Sequence, residues 1–437
     1  MPGSTPDSRV VPSSIAHSPG CFAFSSKSAG GCPKYPGQFE ESIKGNFASY
    51  YPNGYYRVAG LFAGPDIDQS VVLIRLLNCL VYAAGLAALL FLSAPERRSN
   101  YMLGSLVVLV PLGMFTVASV NPSSWAITSA TLVWASAVEF ARAQDRRRRI
   151  SLAVLCAIGF AIGLSARADA AAYAGLAIVL AWLATVKLTR KTMIYGGIAV
   201  LAMAAGTLWA ISLGSGAAIF NIIPAQPEDI PSGWWQRLQD LPGFYFDTFS
   251  RGLGWLDTYM RSGTWVLAGV GYFAAIFWGL RRVRWRKAVS LGLLLMIGAV
   301  MPMFITGMRH TLLEATLQQR YFLPLMIMAA MIALAEDNPD GTEFNRAQGW
   351  LVTVVLAIAN ANALHTNLRR YITGLDGKWF NLNIGMQWWW TWAPAPMVVF
   401  GIGAAAFMGA VGIAAITGLK EPEEPDLSTI GARRALV

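Results

Sequence analysis

The chain is a succession of apolar runs, each about twenty residues long, separated by short clusters of arginine and lysine. A run of that length crosses the hydrocarbon core of a bilayer as a helix. The runs lie at Ser70–Ser93, Tyr101–Val120, Trp125–Gln144, Ile150–Ser165, Ala170–Lys187, Met193–Gly214, Thr264–Leu280, Ala288–Thr306, Tyr321–Ala335, Gly349–Leu364 and Trp392–Leu419. They predict an all-α fold, a polytopic transmembrane bundle of about eleven spans over residues 70–419. A polar tail (1–69) precedes the bundle, an external loop (217–263) interrupts it, and a short polar tail (420–437) follows. Composition agrees, with 55% hydrophobic residues, 13% charged and a mean hydropathy of +0.46.

The formal net charge of +10 would suit nucleic acid if the bases shared one soluble face. Here they sit between apolar runs, so the positive-inside rule accounts for them and nucleic acid is not expected as a partner. Arg97 and Arg98, Arg142 with Arg146 to Arg149, Lys187, Arg190 and Lys191, and the group from Arg281 to Lys287 fall on one side, which that rule makes cytoplasmic. The segments 121–124, 167–169, 217–263, 307–320 and 365–390 fall on the other. The N-terminal tail is therefore expected outside and the C-terminus inside. The tail holds no apolar run able to carry it across, which predicts one further span upstream and about twelve in all.

Cys21 and Cys32 in the tail can close a disulfide loop in an oxidising compartment, or remain two unrelated thiols. Cys79 and Cys156 lie in apolar runs and read as small buried hydrophobes. The histidines His17, His310 and His365 are far apart, so no metal site is expected from them, and His310 with Glu314 makes only a two-group set. No phosphate-cradling glycine loop or nucleotide fingerprint is present, which argues against an ATP-driven pump.

Candidate chemistry gathers where the tail meets the first run, SYYPNGYYRVAGLFAGPDIDQSVVLIRLLN from Ser49 to Asn78. Asp66 and Asp68 stand at the membrane surface as catalytic candidates, able to take a proton from an acceptor hydroxyl or to hold a divalent cation. Their alternative role is to cap the helix. Arg75 lies inside the apolar run, where an unpaired charge is costly, so it faces the bundle interior. Arg320 at the start of the RYFLPL run and Arg167 in its Ala-Arg-Ala-Asp turn suit phosphate, or else reach out to lipid headgroups. In the loop 217–263, Trp234 and Trp235 beside carboxylates such as Asp257 suit sugar binding, or form an interfacial aromatic belt. Glu139 is placed to pair with Arg142, and Ser123 or Ser124 to cap the span that begins at Trp125.

YYPNGYYRVAGLF, VLIRLLN, MFTVASVNPSSW and QQRYFLPL, in that order, resemble a large bacterial family of integral membrane proteins of unknown function, grouped at a distance with the GT-C glycosyltransferases. The resemblance covers most of the chain from Cys21 to the last run. It implies location in the bacterial cytoplasmic membrane, an active outer face, a polyprenyl-phosphate-linked sugar as donor and a wall polymer as acceptor. Membrane lipids are then constant partners. It further implies sugar transfer in which a carboxylate deprotonates the acceptor while arginines, with Mg²⁺ or Mn²⁺, stabilise the departing phosphate. A carrier or flippase for the same lipid-linked polymers, or a structural partner in envelope assembly, is the non-catalytic alternative. Relatives carry an Asp-Glu pair near a histidine in the first external loop and often an aspartate after the Asn-Pro or Ser-Pro turn. This chain has no such pair before Cys21, and has Ser123 at the turn.

Overall fold

The computed structural model describes residues 8–17, 20–33, 35–43, 45–47, 51–185, 233–281, 283–309, 317–335 and 346–417, with Ile194 and Leu313. The expected span Met193–Gly214, the pair His310 and Glu314, the first part of the loop 217–263 and the C-terminal tail lie outside the described residues.

The described part of the N-terminal tail is folded. Strand β1 (Arg9–Pro12) pairs antiparallel with β2 (Phe39–Ser42), with helix α1 (Ser13–His17) directly after β1. Cys21 and Cys32 are bonded, with Cα atoms 5.7 Å apart. Helix α2 (Asn53–Gly60) then leads to the membrane.

The bundle is all-α. Helix α3 (Ile67–Leu92) starts at an Asp66 cap and stops at Ser93, beyond which Pro95 opens α4 (Pro95–Val108). The segment kinks next (Leu109–Gly113), because Pro111 drives Val110 out of the helical region to φ −89°, ψ 125°. Helix α5 (Met114–Val117) completes this span. Next come α6 (Ser123–Arg142), α7 (Arg146–Ala166) and α8 (Ala168–Thr185). An amphipathic α9 (Trp234–Ser250) precedes α10 (Ser262–Gly279) and α11 (Trp285–Arg309). Last are α12 (Leu323–Leu334), α13 (Arg346–Ile372) and α14 (Pro396–Thr417).

Every expected span among the described residues coincides with a helix. Seven are long and apolar enough to cross a membrane: α3, the α4–α5 segment, α7, α8, α11, α13 and α14. On the outside of the bundle Phe91, Phe277 and Leu295 are each at least 73% exposed, as side chains facing lipid would be. Inside, α6 and α12 are almost wholly buried and α6 packs on α3, α7 and α8. Lipid is as apolar as leucine, so this core is held by close packing and internal hydrogen bonds.

Hydrogen bonds define two ends. At one, the Glu139 carboxylate is fully buried and accepts from Arg97, Arg148 Nη2 at 2.8 Å, Tyr101 Oη at 3.0 Å and the backbone of Ala94 at 3.1 Å. Arginines from two neighbouring helices, beyond the Arg142 that the sequence pointed to, reach the carboxylate, since α4 and α7 both begin beside the end of α6. On the same side Lys287 Nζ closes the C-termini of α10 and α12, at 2.5 Å from Gly279 O and 3.2 Å from Ala335 O. The opposite end carries the tail, and the candidate site lies there.

Candidate functional site

The turn before α6 organises this end. Asn121 Oδ1 accepts from Ser123 N at 2.8 Å, so Asn121 rather than a serine hydroxyl closes the helix start. Asn78, buried in α3, then ties three elements together. Its amide donates to Ser119 O at 2.8 Å and to Tyr55 Oη at 3.2 Å, and its Oδ1 accepts from Trp125 Nε1 at 3.1 Å. Tyr55 and Trp125 meet edge to face at 5.3 Å. One turn above, Arg75 Nε donates to Ala118 O at 2.6 Å. The arginine inside the apolar run is thus turned inward and tied to a helix-terminal carbonyl.

Beside this joint is a cluster of guanidinium and phenol groups. Arg167 is the single extended residue between α7 and α8, and that break turns its side chain into the protein. Its Nε and Nη2 bind Asp169 at 2.8 and 2.9 Å, in the bidentate geometry that suits a planar fork. Nη1 lies 3.5 Å from Ser123 Oγ. The Tyr321 ring covers one guanidinium face at 4.0 Å, and the Tyr51 ring lies 5.5 Å away. Arg320 also sits over Tyr321, at 5.6 Å. Its Nε and Gln318 Oε1 are buried without a hydrogen-bond partner among the described residues.

Tyr51 reaches this place from the segment just ahead of α2. Asn46 fixes Tyr51, accepting from its N–H at 2.9 Å and donating to its carbonyl at 2.9 Å. Gly54 lets α2 touch the end of α7, where a Cβ would stand 2.4 Å from Ser165 Cβ. Burial pushes the phenols of Tyr51 and Tyr56 up. For Arg167 burial likewise opposes the charge, and Asp169 more than offsets it, so its pKa is raised. The cluster is a partly buried group of side chains in which two guanidiniums face one carboxylate.

Other candidates fall elsewhere. Asp66 is exposed and caps α3, accepting from Gln69 N at 3.1 Å. Asp68 lies in the first turn of the same helix. Trp234 and Trp235 open α9, exposed by 67% and 56%. Asp257 is buried against Arg370. Among the described residues no three His, Cys, Asp or Glu side chains gather as metal ligands. The structure therefore brings Arg167 and Arg320 together with Tyr321 and leaves Arg75 on the adjoining turn, while Asp66 and Asp68 stand at the start of α3, Trp234 and Trp235 at the start of α9, and Asp257 in the ion pair with Arg370. Asn78, Tyr51, Tyr321 and Asp169 were not singled out by sequence reasoning. Asn78 had a signal, a polar side chain in an apolar run.

A model of a family described as predicted membrane protein (DUF2142) matches residues 34–329. The chain belongs to this family. No curated protein and no solved structure matches it. The DUF2142 region holds the whole Asn78 joint and the Arg167–Tyr321–Arg320 cluster, while the disulfide loop, α13 and α14 lie outside it.

Proposed function

We propose that this membrane protein is glycosyltransferase-like, of the GT-C kind, and handles a polyprenyl-phosphate-linked sugar at the outer face of the bacterial cytoplasmic membrane during envelope polysaccharide assembly. The observation that carries the reading is the pairing of Arg167 and Arg320 on Tyr321 at the tail end of the bundle. Two guanidiniums with only one carboxylate between them suit a phosphate, and Arg320 Nε has a donor to offer. A lipid-borne phosphate reaches such a site from the bilayer surface. The outward assignment of this end is supported by the disulfide in the tail and by the arginine clusters at the other end.

In transfer, these arginines would stabilise charge on the leaving phosphate and a carboxylate would take the acceptor proton. Asp66 and Asp68 are the proposed bases, being on the surface where the headgroup arrives. Mg²⁺ or Mn²⁺ does not fit the residues described: Asp66 and Asp68 gain no third ligand, and Asp169 is held in both oxygens by Arg167. No step is routed through a metal.

A second reading, a carrier that binds the same lipid without making bonds, is favoured by the engagement of the nearby carboxylates. Asp169 is bound to Arg167, Asp257 to Arg370, and Asp66 to its helix start. The deciding experiment reconstitutes the protein in liposomes with a radiolabelled polyprenyl-phosphate sugar and follows both sugar transfer to acceptor and movement of label between leaflets. Arg320→Ala is expected to weaken lipid binding about tenfold. Unchanged binding in Arg320→Ala and Arg167→Ala would remove the proposal altogether.

A further inference from the structure

Next to the arginine cluster, α9 and the loop after it enclose a cleft of about 970 Å³ that the reading above leaves unassigned. Asp240 and Asp247 give it two carboxylates, Arg251 a guanidinium, and Phe246, Tyr259 and Trp265 aromatic faces. These groups are held. Asp247 Oδ1 accepts from Ser250 Oγ at 2.7 Å and lies 3.4 Å from Arg251 Nε. Arg251 in turn stands 5.8 Å over the Tyr259 ring, yet Tyr259 remains 56% exposed.

The floor is firm and shared. Phe244 is buried edge-on to Phe322 at 5.4 Å. Gly252, at φ +89°, approaches the Gln319 side chain, where a Cβ would come within 3.7 Å of Oε1. Gln319 and Phe322 flank Arg320 and Tyr321 in sequence, so the segment that carries the arginine cluster packs behind Phe244, a lining residue of the cleft.

Chemistry narrows the occupant. An acyl chain would strip water from Asp240, Asp247 and Arg251 and return no hydrogen bonds. A phosphate would meet two carboxylates for one guanidinium. A sugar satisfies every group, because its hydroxyls donate to carboxylates, accept from the guanidinium, and leave its CH face for an aromatic ring. The volume lies at the upper end for small-molecule sites, enough for a short chain rather than a single ring.

We infer that this cleft binds a saccharide chain, uncharged or basic, through Asp247, Arg251 and Tyr259. Its role as acceptor site rests on the transferase reading; the binding itself does not.

The test titrates full-length protein in nanodiscs with maltotriose, cellotriose and chitotriose, followed by saturation-transfer NMR. At least one is expected to bind saturably. Tyr259→Ala and Asp247→Asn should each weaken it about tenfold, while Tyr259→Phe leaves it unchanged. Absence of saturable binding for all three sugars overturns the inference. So does binding that survives both Tyr259→Ala and Asp247→Asn, or that is lost only in Trp234→Ala, which would put the sugar on the exposed aromatic face outside the cleft. Loss of lipid binding as the property of Arg320 is a separate measurement, so the transferase reading can fail while the cleft stands.

Discussion

Arg370 and Asp257 form a buried ion pair at 2.6 Å that fastens the disulfide loop of the tail to the bundle. Arg370 is 1% exposed; it also donates to Ser28 O and, at 2.8 Å, to Phe22 O, both inside the loop closed by Cys21 and Cys32. Gly374, at φ +75°, completes the seat, since a Cβ there would collide with Lys27 O at 2.1 Å. Removing one partner of such a pair strands the other without water. Arg370→Ala should therefore cost about 3–5 kcal/mol, seen as a lower midpoint in thermal unfolding of the detergent-solubilised protein, and should speed proteolysis of the tail. A midpoint unchanged in Arg370→Ala would show that the loop is held by other contacts.

At the opposite end Glu139 compensates two guanidiniums at once. Glu139→Gln keeps the shape but removes the charge that Arg97 and Arg148 share. Loss of about 3–5 kcal/mol is expected, with lower yield of folded protein. Double variants test the wiring: if Arg97→Met with Glu139→Leu recovers most of the loss, the network is needed for balance of charge rather than for any contact with a ligand.

The helices were legible because apolar runs of spanning length end at arginines, and no other arrangement buries them. Even α6, whose SSWAITSATLVWASAVEF is rich in serine, threonine and alanine, was placed correctly, by length. Pairings were not legible. Arg370 meets Ser28, 342 residues away, and Glu139 meets Arg97 and Arg148 from two other helices. Periodicity tells which face of a helix is buried, but which helix lies against it is decided by packing of the whole bundle. The same holds at the candidate site: Arg167 and Arg320 stood out one by one as membrane-face arginines, while the tyrosine between them gave no sign, because an interfacial tyrosine is ordinary.

The start of α3 separates catalysis from capping. Asparagine caps a helix as well as aspartate does, so Asp66→Asn should change stability by no more than about 0.5 kcal/mol, whereas Asp66→Ala should lose about 1 kcal/mol with the bond to Gln69 N. A proton acceptor has no such substitute. If Asp66 acts as the base, Asp66→Asn lowers sugar transfer about a hundredfold or more at unchanged lipid binding. Arg75→Ala is expected to behave differently, because it frees the Ala118 carbonyl and loosens the turn on which Ser123 and Trp125 stand. Its damage should fall on stability and lipid binding together. Transfer that survives Asp66→Asn and Asp68→Asn, singly and combined, would leave both residues as parts of the helix start and move the weight to the carrier reading.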